Sequence, residues 1–336
     1  MSPRPTPARL ASSCLALGVL LAGALLLAAS VGPGDPPGVV VSPETRRFIV
    51  EEIRIPRALV AAFVGGALSV CGAAFQALLR NPLASPYILG VSGGGSLGAV
   101  LAIVLGLRAA APGFPVLPLA AFAGCLSAIG IIHTVARRRG HLLAQDLLLA
   151  GVVANSFFLA VLAVLQYLAN PHEAAEILHW TLGAVRTDRV PLGVAGALCA
   201  AGMLALLRDG AALNLLSVGD ETAALLGVDV PAVRRRTFVA ASLLTGMAVA
   251  MSGPIAFVGL FVPHGVRRVL GPDHRILLPA SFLAGAAFLV LADTAARSAF
   301  GSREIPVGVI TAVLGAPAFV LILGRRGRGA PERDLP

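Results

Sequence analysis

Not one of the 26 basic residues in this 336-residue chain is a lysine; every one is an arginine. A phosphate-cradling G-x-x-x-x-G-K-[ST] loop is therefore absent, and the run Gly93-Gly94-Gly95-Ser96 lacks the lysine such a cradle needs. Charge of either sign is scarce: only 13% of residues carry one, against roughly 25% in a soluble domain. With 57% hydrophobic residues and a mean hydropathy of +0.87, the chain is an integral membrane protein. Aromatic residues make up 5%, and no basic stripe interleaves with them, so the net charge of +9 is not a nucleic-acid footprint. The arginines lie in short loops between apolar runs, where they set topology. Four cysteines (Cys14, Cys71, Cys125, Cys199) stand singly inside apolar runs without C-x-x-C spacing and read as small buried hydrophobes. Carboxylates inside those runs are scarcest of all. Asp146 stands at the edge of its run and only Asp293 qualifies as a buried member of a relay, so the proton or ion relay of a secondary transporter is missing.

What the chain has in abundance is long apolar sequence. Blocks run at 10–31, 58–79, 86–107, 114–136, 143–168, 191–207, 237–262, 276–295 and 306–323, where about 20 residues suffice to cross the hydrocarbon. The first follows Arg4 and Arg9 and ends near Ala28-Ala29-Ser30. It is longer than the roughly 7–15 residues of a signal-peptide core and reads as a retained span. The seventh is interrupted by Ser252-Gly253-Pro254, and proline removes a backbone donor and clashes with the preceding turn. Splitting it there gives ten segments with both termini on one side. Loops on that side then hold 17 arginines and the opposite loops 9, whereas an unbroken block would leave 12 and 14. The positive-inside bias favours the break and cytoplasmic termini. The predicted fold is all-α and polytopic, one transmembrane domain over 1–336, with 1–9 and 324–336 as cytoplasmic ends. Ile255–Val262 is too short to cross alone and is predicted as a half-helix sheltered by neighbours.

On that topology the polar signatures sort by face. Arg54-Ile55-Pro56-Arg57, Trp180-Thr181-Leu182-Gly183, Arg297 and Glu304-Ile305-Pro306-Val307-Gly308 lie outside. Asn81-Pro82-Leu83-Ala84, Arg137-Arg138-Arg139, the loop Arg208–Arg236 and Pro263-His264-Gly265-Val266-Arg267-Arg268 lie inside. Guanidinium forks at an outer rim suit carboxylates, either those of a docking partner or the chain's own Glu51, Glu52 and Asp293. Asp293 and Arg297 are i, i+4 on one helix. Between Leu213 and Val230, Gly219-Asp220-Glu221 puts negative charge at the start of a short helix that Gly227 closes in a left-handed cap. His264, after Pro263, is predicted to end a helix at the inner face; His172 and His179 are predicted surface residues beside Trp180. Gly90-Val91-Ser92-Gly93 matches the G-x-S-G of intramembrane serine proteases. Catalysis needs a base within about 3 Å of the serine, and His264 sits at a membrane edge instead.

Eight longer motifs follow one another over nearly all the chain after residue 45. They are R-x-P-R (Arg54 to Arg57), Q-x-x-x-R-N-P-L-A-x-P (Gln76 to Pro86), L-G-V-S-G-G (Leu89 to Gly94) and L-x-x-G-x-E-x-A-x-x-L-G-V (Leu216 to Val228). Then come S-G-P-I-x-F-V-G-L-x-x-P-H-x-x-R (Ser252 to Arg267), G-x-D-H-R (Gly271 to Arg275), A-D-x-x-A-R (Ala292 to Arg297) and I-P-V-G-V-x-T-A-x-x-G-A-P-x-F (Ile305 to Phe319). In register, they resemble the permease family of ABC importers for iron(III)-siderophores, haem and cobalamin. The resemblance implies ten transmembrane helices and a homodimer around a central path in the bacterial cytoplasmic membrane. It also implies two partner ATPases, which hold ATP and Mg²⁺, so that this chain binds no cofactor and catalyses no hydrolysis. An extracytoplasmic binding protein would dock at Arg54, Arg57 and Arg297. Gly219, Asp220, Glu221, Leu225, Leu226 and Gly227 would couple to the ATPases. Asn81 and Leu83 match the inner-gate loop, while Ala144 and Gln145 stand where relatives place small hydroxyl residues of the gate, a departure from the pattern. The expected substrate is an iron(III)-siderophore-type chelate, with haem, cobalamin or molybdate as alternatives.

Overall fold

The computed structural model describes residues 7–32, 42–107, 115–138, 141–187, 192–299 and 304–324. Residues 1–6 and 325–336 of the predicted cytoplasmic ends, and Arg139 of the inner arginine run, lie outside these. The first half comprises α1 (Pro7–Ser30), α2 (Pro43–Phe48), α3 (Ile55–Leu78), α4 (Val91–Val104), α5 (Val116–Ala136), α6 (Ala144–Leu168) and α7 (Pro171–Thr181). The second comprises α8 (Leu192–Arg208), α9 (Gly210–Val218), α10 (Asp220–Leu225), α11 (Val230–Ser252), α12 (Val258–Leu270), α13 (His274–Ser298) and α14 (Val307–Gly324). A two-residue antiparallel ladder, β1 (Arg137–Arg138) with β2 (His141–Leu142), joins α5 to α6.

Each of the ten predicted segments coincides with a helix, though not all have the length of a span. By length and hydropathy, five stretches among the described residues are able to cross a membrane: Ser12–Ser30, Pro43–Leu78, α5, α6 and α13. They become six if α8 and α9, bent by 52° at Asp209, count as one. Burial separates their roles. The apolar window of α3 is 89% buried against 11% for α1 and 33% for α5 and α6, so α3 is the hub and the others face outward. Small residues let the hub's neighbours approach closely. A Cβ at Gly72 would overlap the Gly259 carbonyl of α12, and one at Gly65 the Gly285 carbonyl of α13.

The hub also corrects two readings of proline. The helix does not start at Ala58: Pro43–Leu78 is one continuous stretch of 36 residues. Pro56 is accommodated because Ile49–Arg54 is wound as a π-helix, with Ile55 N–H reaching back to the Val50 carbonyl. Nor does α12 stop at His264; it runs through Pro263 to Leu270. Pro263 deprives the Gly259 carbonyl of its helical donor. The buried Gln76 Nε2 of α3 replaces it, donating to the carbonyls of Gly259 (3.5 Å) and Leu260 (3.2 Å).

The predicted break is present: α11 ends at Ser252 and Gly253 adopts φ 71°. The freed backbone groups are met by protein. Ala184 N–H donates to the Ser252 carbonyl at 2.7 Å, and Gly308 N–H to the Gly183 carbonyl at 3.1 Å. Thus Trp180–Gly183, Ser252–Pro254 and Pro306–Gly308, three separate sequence motifs, form one sheltered junction, which is what irregular backbone at membrane depth requires. Two predicted loops are helical. Asn170 and Glu173 form a reciprocal capping box that starts α7, with Trp180 buried and His172 and His179 exposed. The stretch Arg208–Arg236 contains α9, α10 and the first turns of α11.

Candidate functional site

Polar side chains gather at the two ends of α3. At the N-terminal end, predicted to face outward, Arg57 forks onto Asp293 of α13, with Nε 3.0 Å from Oδ2 and Nη2 3.0 Å from Oδ1, and its Nη1 meets Glu304 at 2.9 Å. Arg297 closes on the same carboxylate at 3.8 Å and donates to the Ala28 carbonyl at the end of α1. Arg54 donates to the Ala29 and Ser30 carbonyls at 3.2 and 3.1 Å, satisfying acceptors that a helix C-terminus leaves orphaned. The three predicted docking arginines therefore come together, yet all are engaged within the chain. Side-chain exposure is 18% for Arg57 and 4% for Arg297, against 51% for Glu304. Sequence spacing flagged the Asp293–Arg297 pair but missed Glu304 and the α1 carbonyls, which are far away in the chain.

At the C-terminal end, predicted to face inward, α3 closes in a Schellman motif: Asn81 N–H returns to the Gln76 carbonyl and Arg80 N–H to that of Ala77. The left-handed residue there is not glycine but Arg80, at φ 49°. Asn81 then braces its own loop, Oδ1 accepting from Leu83 N–H at 2.9 Å, which leaves Leu83 exposed at the tip. Gln145 is exposed at the start of α6, and no hydrogen bond links it to this loop among the described residues. The predicted capped helix is present as α10, with Asp220 and Glu221 in its first turn. Gly227 (φ 84°) closes it in a second Schellman motif, Val228 N–H to the Ala223 carbonyl and Gly227 N–H to that of Ala224. Leu225 and Leu226 stand 88% and 62% exposed.

Asp220 joins these two pieces. Both its oxygens accept from Arg234 Nη2 at 2.8 Å, and Oδ2 lies 3.7 Å from Arg80 Nη2. Nearby, Asn214 of α9 ties to the start of α13, donating to Asp273 at 2.8 Å and accepting from His274 N–H at 2.8 Å. The Arg275 guanidinium and the Asn214 amide hold the Asp273 carboxylate well below the usual range, against the opposing effect of burial.

A polytopic bundle around one buried helix, with a broken helix sheltered by protein, is the architecture of a membrane permease. The chain belongs to the FecCD transport family, whose profile matches residues 14–325. It is 44% identical over 285 residues to an ABC transporter permease protein of Bacillus subtilis, covering 84% of this chain and 80% of the relative. Identity is 42% over 293 residues with the cobalamin import system permease protein of Halobacterium salinarum (84% and 75% covered). It is 40% over 280 residues with the hemin transport system permease protein of Yersinia pestis (82% of each). A solved metal-chelate type ABC transporter in an inward-facing conformation matches with TM-score 0.81 at 28% identity, over 94% of this chain and 99% of that one. The family read from the motifs is thus the family of the chain, the membrane component of ABC importers.

Proposed function

We propose that this chain is the membrane-spanning subunit of an ATP-driven importer of metal chelates in the bacterial cytoplasmic membrane, with ten spans and both termini inside. It works as a homodimer enclosing the translocation path. Exposed apolar side chains on α6 (Leu149, Val153, Phe157) and α14 (Val313, Val320) offer surface for a second copy and for lipid. ATP and Mg²⁺ belong to two partner ATPases, and this chain holds no cofactor. An extracytoplasmic binding protein docks on the rim around Arg54 and Arg57. A partner carboxylate reaches Arg57 by replacing the half-exposed Glu304, while Arg297 acts from beneath by holding Asp293 and α1.

The observation that carries this reading is the link through Asp220. Leu225 and Leu226 give α10 an apolar outer face that suits a groove on an ATPase. Asp220, at the start of the same helix, contacts Arg80, one residue before the Asn81–Leu83 loop. Displacing α10 therefore pulls directly on the inner-gate loop, with Gln145 flanking it on α6.

The carried substrate is an iron(III)-siderophore-type chelate; the names of relatives at 42% and 40% identity favour cobalamin and haem as second readings. The test is reconstitution with a candidate ATPase and binding protein in liposomes, measuring ATP hydrolysis and uptake of a ferric siderophore, haemin and cobalamin. Hydrolysis stimulated by the loaded binding protein, with siderophore uptake, is the expected result. Uptake of only cobalamin or haemin would replace the substrate. Uptake driven by an ion gradient with no ATPase bound would overturn the importer mechanism.

A further inference from the structure

Between α5, α8 and α11 lies an open groove of about 600 Å³ that none of the foregoing uses. Its walls are one face of α8 and one of α11. Leu198, Ala201 and Ala205 line the first, Val239, Leu243 and Met247 the second, each at helical spacing. Arg208, which ends α8, and Arg235 and Arg236, in the first turns of α11, crowd one end. Asp209 neutralises only part of that charge: its carboxylate accepts from Arg236 at 2.8 and 3.3 Å, which also pins the bend between α8 and α9. Arg208 and Arg235 are exposed and form no ion pair among the described residues.

We propose that this groove holds one anionic phospholipid of the leaflet on the arginine-rich side, its phosphate at Arg208 and Arg235 and an acyl chain along Val239 to Met247. The dimensions fit. From Arg235 to Met247 α11 rises about 18 Å at 1.5 Å per residue, close to the roughly 15 Å of hydrocarbon in one leaflet. A trough charged only at its interfacial end and apolar for the rest of a leaflet's depth matches a lipid, and basic pockets between spans are where anionic headgroups bind. A free phosphate would leave the apolar length without purpose. A second copy meeting this face across a two-fold axis would set Arg208 and Arg235 near their own counterparts, and like charges repel. The inference needs the chain to span a bilayer but not the importer mechanism, so a failure of transport would leave it standing.

The test is native mass spectrometry of the delipidated full chain with phosphatidylglycerol or phosphatidylcholine of identical acyl chains. About 30-fold preference for phosphatidylglycerol is expected from two arginines. Arg208→Gln/Arg235→Gln should equalise the two lipids, Arg208→Lys/Arg235→Lys should keep the preference, and Ala205→Trp, which fills the trough, should weaken both. Equal binding of the two lipids by the wild-type chain overturns the proposal without any variant. So does displacement of phosphatidylglycerol by millimolar inorganic phosphate, or its exclusion once ATPase subunits are assembled.

Discussion

The two ends of α3 carry the same chemistry in different settings. At the outer end Asp293, with 3% of its side chain exposed, is held by Arg57 and Arg297, and those arginines in turn grip Glu304 and the end of α1. At the inner end Asp220, 32% exposed, also receives two arginines, one of them Arg80, itself 42% exposed and in a left-handed backbone. A buried carboxylate between two guanidiniums is costly to disrupt, because whatever remains is left charged and dry. A half-exposed one can exchange partners with water or another protein. The carboxylate at the start of α3 is thus the drier and more fixed of the two, and the one near its end the more open to water.

Removing the outer carboxylate should produce the largest effect. Asp293→Ala takes the carboxylate from the buried Arg297 and leaves Arg57 only Glu304, and is expected to cost about 3–5 kcal/mol, seen as a large fall in melting temperature in detergent. A melting point equal to wild type would mean that the outer cluster is no more fixed than the inner. Asp220→Ala should cost less, about 1.5–3 kcal/mol for lost charged hydrogen bonds. Uptake in liposomes should collapse while ATP hydrolysis continues; retained uptake would remove Asp220 from the coupling route. Arg80→Gly sharpens the contrast further. Glycine accepts φ 49° without the cost of about 1–2 kcal/mol that an L-residue bears, although it also frees the unfolded chain. Stability should therefore stay within about 1 kcal/mol of wild type while uptake falls as in Asp220→Ala, a split that a merely structural arginine would not give. The smallest effect concerns acid. Asp273 has a lowered native pKa, so its stabilisation is complete above about pH 4, the unfolded value, and fades as the pH falls below it. Melting curves taken between pH 5 and pH 3 should show a small extra loss that Asp273→Asn abolishes.

Local signals were readable where their cause was local. Gly253-Pro254 breaks a helix by its own stereochemistry, Gly227 takes the left-handed cap, and Asp293 and Arg297 pair because they are one helical turn apart. Asn170-Pro171-His172-Glu173 also spelled a helix start, and α7 was missed only because its few apolar residues do not form a span. What could not be read was pairing at a distance. Arg57 finds Asp293 236 positions away; that in-chain pairing was one of two readings of the outer arginines, and nothing in either motif chose between them. Pro263 illustrates the limit most clearly. Its rule is to end a helix, and the rule fails because Gln76, from another part of the chain, supplies the missing donor. The same gap hid two of the outer arginines' partners, the backbone carbonyls of α1 that Arg54 and Arg297 reach.

Arg57, at the start of α3, and Arg80, just past its end, are 23 positions apart, about 35 Å at 1.5 Å per residue, and the helix between them is buried along most of its length. In mechanical terms α3 is a connecting rod. If the proposed coupling holds, a push delivered at the Asp220 end would appear as a tilt at the Asp293 end, and by reciprocity a load placed on the outer rim would alter how readily the inner end yields. Word that a substrate has arrived outside would then need no messenger of its own; it would travel along a single span.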